Sequence, residues 1–237
     1  MLTVCVFLWG DKYGINYVNK LRAGLLRHLR QEFRIIYVVD DSREMDSDPS
    51  WWPDRIQESV VSIADEDRHL LSLPGCFVRL RMFDPVWQLR NAIAPSDRLV
   101  SVDLDAIVTG DLDPLFDRPE SFVILQGANS ANPNPFNGSV FMLRAGEHAD
   151  IWSDFSVDAA KKVPYYAFPD DQAWIHHKLP SAAGWKAGSE SGLYAFKKPG
   201  WPKGDALPRD ARIVVFPGAR DPSQFTHLKW VREHWRA

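Results

Sequence analysis

The chain has 237 residues and a formal net charge of −3; 45% of its residues are hydrophobic and 25% are charged. Such a chain buries a sizeable core in one large α/β domain or at most two small ones, and its acidity disfavours nucleic acid as a partner. No apolar run approaches the roughly 20 residues of a membrane span, residues 1–9 lack the cationic start of a signal peptide, and two cysteines make no disulfide framework. We therefore expect a cytoplasmic protein.

The first forty residues have the pattern of a βαβ unit. Leu2–Leu8 is apolar throughout and predicts a buried strand, and residues 17–30 repeat apolar side chains at helical spacing. Phe33–Val39 predicts a second buried strand, so the unit predicts a parallel sheet. The polar residues 42–53 that follow predict a loop.

The rest of the chain continues this alternation without a repeat or a linker. Residues 180–208 are crowded with Gly, Pro and Lys, which predicts an irregular and mobile stretch. The predicted helices are residues 86–93, 149–157, Asp171–Lys178 and 228–235, and the predicted strands are Arg98–Val102 and residues 122–125, 139–143 and 212–216.

Acidic residues follow three of the predicted strands. Ligands of open parallel sheets bind beyond the carboxyl ends of the strands, so these positions favour a binding site. The residues are Asp11, the pair Asp40 and Asp41, and the pair Asp103 and Asp105.

Asp103 and Asp105 flank one apolar residue directly after a buried strand. In extended backbone, residues two apart point to the same side, so both carboxylates can face one point. Mg²⁺ and Mn²⁺ prefer such oxygen ligands and often take others from substrate phosphates. The alternative is that either residue caps a turn before Gly110 and Asp111.

Five short segments share an order that is more informative than any one of them. They are Trp9-Gly10-Asp11-Lys12-Tyr13-Gly14, Phe77-Val78-Arg79-Leu80, the stretch from Val102 through Asp103-Leu104-Asp105 to Phe116, Phe136-Asn137-Gly138-Ser139-Val140, and Asp170-Asp171-Gln172. In this order, over nearly the whole chain, they resemble GT-A-fold glycosyltransferases of the retaining type that includes glycogenin and the bacterial lipooligosaccharide galactosyltransferases. The resemblance implies a single GT-A-like α/β domain, with a mostly parallel mixed central sheet flanked by helices and a Rossmann-like first half.

The same resemblance implies an activity. It is the transfer of a hexose from a nucleoside diphosphate sugar, with a UDP-sugar as the expected donor, to a hydroxyl of a glycan or a lipid-linked sugar. The expected cofactor is Mn²⁺ or Mg²⁺, and the anomeric configuration is retained. Within the single domain over residues 1–237, residues 1–110 would bind the nucleotide and residues 111–237 would bind the acceptor and the sugar.

The resemblance also implies roles for individual residues. Asp103 would contact the ribose and the cation, and Asp105 would hold the cation directly. Trp9, Gly10, Tyr13 and either Asp40 or Asp41 would contact the nucleotide base, and Arg79 would orient the acidic pair or the phosphates. Asn137 would contact the transferred sugar, and Asp171 and Gln172 would lie at the anomeric face of that sugar. An inverting enzyme would instead use Asp170 or Asp171 as a base.

The sequence departs from the family after the last predicted strand. Pro217-Gly218 stands where the resemblance leads us to expect a histidine that completes the metal site, and proline offers no side-chain ligand. We expect His227 or water to fill that position.

Several of these residues also have plain structural explanations. Asn137-Gly138 is typical of a hairpin turn, Asp170 and Asp171 suit a helix N-terminus, and Arg79 suits a surface ion pair. The end of the chain has two interpretations, contact with a membrane surface or a solvated helix with an aromatic packing face, and the second is favoured. This end contains Lys229, Trp230, Arg232, Trp235 and Arg236.

Two other functions stay open at this point. One is a phosphatase of the haloacid dehalogenase type, which also places two aspartates after a buried strand. The other is a degenerate transferase fold that only binds a carbohydrate or a nucleotide, which Pro217 keeps open.

Overall fold

The computed structural model describes residues 1–40 and 56–237, and it contains two sheets. Residues 42–53, predicted to be a loop, and Asp41 lie outside the described residues. The strands are β1 (Leu2–Leu8), β2 (Phe33–Val39), β3 (Ile56–Ser62), β4 (Arg98–Val102), β5 (Ile107–Val108), β6 (Phe122–Gln126), β7 (Phe136–Arg144), β8 (Ala183–Lys186), β9 (Leu193–Ala195) and β10 (Ile213–Val215).

The helices are mostly short and lie between these strands. They are α1 (Ile15–His28), α2 (Arg68–Leu71), α3 (Pro85–Arg90), α4 (Asp113–Phe116), α5 (Asp150–Ser153), α6 (Val157–Ala160), α7 (Asp171–Lys178) and α8 (Lys229–His234). Shorter 3₁₀ segments cover Asp65–Asp67, Phe77–Phe83 and Pro222–Phe225.

The central sheet has seven strands in the order β3-β2-β1-β4-β7-β6-β8. Its strands pair in parallel except at β7, which runs antiparallel to both β4 and β6. The predicted mostly parallel mixed sheet is therefore confirmed. β1 is buried along its whole length and β4 along nearly all of it, as expected for central strands covered on both faces.

One local prediction is wrong, and one strand was not predicted. Residues 149–157 do not form one helix, because the side chain of Ser156 accepts a hydrogen bond from the backbone of Ala159 at 3.1 Å and starts α6 as a separate helix. Strand β3 was not predicted, since its sequence is largely polar and exposed at the edge of the sheet.

The predicted irregular stretch, residues 180–208, contains ordered structure. β8 extends the central sheet beside β6, and β9 joins β5 and β10 in a second, three-stranded sheet. Trp185 on β8 is only 2% exposed and belongs to the main hydrophobic core. Strands of three or four residues are too short to show a periodic pattern, which is why the glycines and prolines dominated the prediction.

The aromatic residues at the end of the chain pack inward. Trp230 and Trp235 are buried in a cluster with Phe196 and Phe216, which agrees with the favoured interpretation of this end as a helix with an aromatic packing face. In the part of the chain that the structure describes, no helix combines the length and apolarity needed to cross a bilayer.

The burial of Trp185 gives a test of whether residues 180–208 are part of the core. We expect Trp185→Ala to lower the free energy of unfolding by about 3–5 kcal/mol, because it leaves a cavity in the core. Chemical denaturation measures this loss. The matched control is Lys186→Ala on the same strand, which is exposed and should change stability by less than about 0.5 kcal/mol. Equal effects of the two changes would contradict the packing described here.

Candidate active site

A cavity of about 380 Å³ opens where β1 and β4 end. Its lining brings together most residues that the sequence singled out: Trp9, Tyr13, Arg79, Asp103, Asp105, Asn137, Asp171 and Gln172. In the sheet, β1 has β2 on one side and β4 on the other, so the strand order changes direction at β1. The cavity therefore occupies the crevice that is typical of ligand sites in open α/β sheets. A second cavity, of about 400 Å³, holds none of these residues.

The acidic pair is positioned by a turn. The backbone N–H of Asp103 donates to the carbonyl oxygen of Ser139 on β7 at 2.9 Å, and the N–H of Ala106 donates to that of Asp103 at 3.0 Å. The backbone of Leu104 and Asp105 is therefore not extended, so the alternation argument does not explain the geometry. Both carboxylates nevertheless line the same cavity, because the turn follows the end of β4.

Arg79 lies at the centre of the polar contacts. Its Nη1 donates to Asp103 Oδ1 at 2.6 Å and to the carbonyl oxygen of Gly138 at 2.8 Å. Its Nε and Nη2 lie 2.9 and 2.7 Å from Asp171 Oδ2. Arg79 is 5% exposed, so the interpretation as a surface ion pair is wrong. Although burial opposes it, the two carboxylates raise the pKa of Arg79, which therefore stays charged.

Gly138 lies inside β7, so the interpretation of Asn137-Gly138 as a hairpin turn is wrong. A Cβ atom at residue 138 would come within 2.7 Å of Arg79 Nη2. The close approach lets the carbonyl oxygen of Gly138 accept from Arg79. Beside it, Asn137 lines the cavity while its Oδ1 accepts from the backbone N–H of Ser139 at 3.1 Å.

The N-terminus of α7 supplies the next part of the lining. Asp170 caps this helix by accepting from the backbone N–H of Ala173 at 2.8 Å, as its structural explanation required. Gln172 Nε2 donates to Asp170 at 2.9 Å, and Gln172 Oε1 accepts from the backbone N–H of Gly138 at 2.9 Å. Burial raises the pKa of the Asp171 carboxyl, and Arg79 opposes that shift.

Tyr13 connects α1 to the acidic pair. Its hydroxyl donates to Asp105 Oδ2 at 2.6 Å, and its ring lies 4.9 Å from that of Tyr17, whose hydroxyl donates to Asp221 at 2.8 Å. Burial, together with the nearby Asp103 carboxylate, raises the pKa of Asp105 to about 7, and the hydrogen bond from Tyr13 acts in the opposite direction.

Three predicted site residues do not line the cavity. The backbone N–H of Gly10 donates to Asp40 Oδ2 at 2.9 Å, so these two residues hold the turn after β1. His227 is exposed, with its ring 6.2 Å from that of Phe225, whereas Pro217 and Gly218 do line the cavity. Within residues 1–40 and 56–237, there is no group of three or more His, Cys, Asp or Glu side chains that could hold a metal ion.

Among the lining residues that the sequence analysis did not assign to the site, two have side chains suited to ligand contact, Lys12 and Phe168. Lys12 lies in the Trp9–Gly14 motif, and its Nζ sits 4.6 Å from the centre of the Tyr13 ring. Phe168, just before the cap of α7, was also missed. The position of Lys12 inside the Trp9–Gly14 motif could have identified it as a site residue. For Phe168 the only available signal was its position two residues before Asp170 in the sequence.

The fold is shared with known glycosyltransferases. One solved structure is the galactosyltransferase LgtC in complex with donor and acceptor sugar analogs, which is 14% identical, with 99% of this chain and 97% of that chain covered and a TM-score of 0.57. An active-site mutant of LgtC is 15% identical, with 93% of this chain and 89% of that chain covered and a TM-score of 0.56. The glycosyltransferase GlyE of Streptococcus pneumoniae TIGR4 is 14% identical, with 98% of this chain and 63% of that chain covered and a TM-score of 0.59. Neither a protein-family model nor a curated protein sequence matches the chain.

At this level of identity the comparison shows that the chain has the fold of these GT-A-type glycosyltransferases, as the five motifs implied. Nothing in the comparison supports the phosphatase alternative.

The Arg79–Asp171 contact can be tested by a double-mutant cycle. We expect Arg79→Met to lower the free energy of unfolding by about 3–5 kcal/mol, because it leaves Asp171 buried without its partner. Asp171→Asn in the Arg79→Met background should recover part of that loss, since the remaining side chain is uncharged. Denaturant titration of the single and double variants measures the cycle. Additive losses would show that the two side chains are not coupled.

Proposed function

We propose that the protein transfers a hexose from a UDP-sugar to a hydroxyl of a glycan or a lipid-linked sugar, with retention of configuration and with a divalent cation. The observation that carries the proposal is the acidic pair, Asp103 and Asp105, which lines the cavity beyond β4 beside Arg79. The fold shared with glycosyltransferases gives this site its context.

The charges of the cavity fit a divalent cation. Among the described residues that line it, four carboxylates (Asp103, Asp105, Asp170 and Asp171) face only two cationic side chains, Lys12 and Arg79. A diphosphate adds further negative charge to this surplus. Mg²⁺ and Mn²⁺ sites commonly use one or two carboxylates and take other ligands from substrate phosphates and water. Asp103 and Asp105 can therefore form such a site without a third protein ligand. When bound, the cation would neutralise the departing diphosphate.

Arg79 orients the acidic pair rather than binding phosphate, because each of its three nitrogens already contacts Asp103, Asp171 or Gly138. Lys12 is the other cationic side chain of the lining, and its Nζ lies over the ring of Tyr13, the residue that donates to Asp105. Lys12 therefore binds the diphosphate beside the cation.

The contacts at α7 support a mechanism without a general base. Asp171 accepts from Arg79 on one oxygen and from the backbone N–H of Gln172 on the other. Asp170 Oδ1 accepts from the backbone N–H of Ala173 in the cap, and its Oδ2 accepts from Gln172 Nε2. Gln172 Oε1 accepts one hydrogen bond and keeps a second lone pair, with which it can stabilise positive charge at the anomeric carbon. Asn137 contacts the transferred sugar.

The cation site is tested by Asp105→Ala. We expect this change to lower cation-dependent hydrolysis of a UDP-sugar by about a hundredfold or more, because it removes a ligand that supports charge neutralisation worth several kcal/mol. Donor hydrolysis with and without Mn²⁺ measures the effect. The control, Asp65→Ala, removes an exposed carboxylate outside the cavity and should leave the rate unchanged. Full turnover in Asp105→Ala would refute the assignment.

The role of Lys12 is tested by comparing two ligands. We expect Lys12→Ala to weaken binding of uridine diphosphate about tenfold and to leave binding of uridine unchanged, because it removes one charged contact to phosphate. Calorimetry in the presence of Mn²⁺ measures both affinities. Lys20→Ala is the matched control, since Lys20 also lies over an aromatic ring, that of Trp235, but does not line the cavity. An equal loss for both ligands would mean that Lys12 does not bind the diphosphate.

A protein that binds the nucleotide sugar without transferring it remains the second candidate. Pro217 lines the cavity and His227 does not, and among the described lining residues no histidine joins the acidic pair. Calorimetry with uridine diphosphate, with and without Mn²⁺, separates the candidates. Binding of uridine diphosphate with the same affinity in the presence and absence of Mn²⁺, together with no turnover of the donor, would favour the protein that only binds.

A further inference from the structure

The segment before α7 exposes an aromatic surface. Tyr165, Tyr166 and Phe168 are 41%, 55% and 43% exposed, and they are the only exposed Phe, Tyr or Trp side chains within residues 1–40 and 56–237. Elsewhere in those residues the aromatic rings are buried or half-buried. Three exposed aromatic side chains within four residues make this segment a candidate binding surface.

The segment is anchored at both ends. Val163 is buried in the core, and the backbone N–H of Asp171 donates to the carbonyl oxygen of Gly75 at 2.8 Å. Gly75 allows this contact, because a Cβ there would come within 2.4 Å of the carbonyl oxygen of Pro169. The exposed rings therefore belong to a stretch of seven residues, 164–170, that is anchored at both ends, and not to a free end of the chain.

The aromatic surface reaches the cavity at Phe168. Phe168 lines the cavity together with Asp170, Asp171 and Gln172. Tyr165 is three residues away, and a chain spans at most about 3.6 Å per residue, so its Cα lies within about 11 Å of that of Phe168. A molecule that reaches the α7 end of the cavity from outside would meet these rings.

We propose that Tyr165, Tyr166 and Phe168, which we call the aromatic platform, bind a neutral sugar ring of the acceptor. A sugar offers an apolar C–H face and a hydroxyl rim, and a tyrosine offers a matching ring face and a hydroxyl. This proposal rests on the proposed function, since it assigns the acceptor side of the same cavity.

The charges around the platform favour a neutral sugar over a membrane. Residues 164–169 contain no charged side chain, and Lys161 is paired with Asp158. Lys162 precedes the segment, and the two carboxylates Asp170 and Asp171 follow it, so the flanking charges have no cationic surplus. An anionic bilayer attracts surfaces with a surplus of Lys and Arg, and no such surplus is present here.

The test uses an array of neutral oligosaccharides with uridine diphosphate and Mn²⁺ present. We expect the double variant Tyr165→Ser/Tyr166→Ser to bind the glycans recognised by the unmodified protein about tenfold more weakly, because two stacking faces are lost. Tyr165→Phe/Tyr166→Phe keeps the rings and should retain most of the binding. The control is Leu89→Ser, which changes an exposed apolar residue on α3 that does not line the cavity.

Three results would overturn the aromatic platform as an acceptor site. They are the absence of glycan binding by the unmodified protein, equal binding by the Tyr→Ser variant, and sedimentation with vesicles of phosphatidylcholine and phosphatidylglycerol that depends on the two tyrosines while glycan binding does not.

Hydrolysis of a UDP-sugar without acceptor, measured on the same samples, reports on the proposed function separately. We expect it to be equal in the unmodified protein and the Tyr→Ser variant. If it is absent from both while glycan binding still depends on the tyrosines, the proposed transferase activity fails and the platform stands as a sugar-binding surface.

Discussion

A single buried guanidinium holds the site together. Arg79, from a 3₁₀ segment, contacts Asp103 after β4, the carbonyl oxygen of Gly138 on β7 and Asp171 at the start of α7. Burying these charges is costly unless each is paired, so the three elements must meet in one arrangement for the contacts to form. The turn that carries the acidic pair and the first turn of α7, which carries Gln172, are thereby fixed relative to each other. In this respect Arg79 acts on the site through the residues it positions.

That arrangement divides the cavity by chemistry. Toward β1 and β4 it is charged, with Lys12 and Tyr13 beside Asp103 and Asp105, which suits a diphosphate and a cation. Toward α7 the polar groups bond mainly to one another, and the lining continues into Phe168. A nucleotide sugar that lies across the cavity would place its sugar between the two regions.

The sequence predicted the parts of the fold that depend on local pattern. β1, β2, β4 and α7 have the predicted bounds, because long apolar runs and a capping aspartate are local signals. Most of the site residues that the sequence predicted also line the cavity. The resemblance implied that Arg79 orients the acidic pair or the phosphates, but its burial and its contact with Asp171, 92 positions away, were not predicted. Asn137-Gly138 was placed in a turn because an Asn-Gly pair is typical of hairpins. The strands at residues 180–208 were missed because three or four residues are too short to show a periodic pattern and because their burial depends on tertiary packing.

The second sheet has a consequence for how the protein folds during synthesis. β5 lies near the middle of the chain, but its partner β10 lies close to the end, and the hydroxyl of Tyr17 bonds to Asp221. Pro217 and Gly218, which close one side of the cavity, come from that same late segment. The first 110 residues therefore leave the ribosome well before the groups that complete their pocket, and the cavity of a nascent chain stays open on one side until residues 217 and 218 have been added.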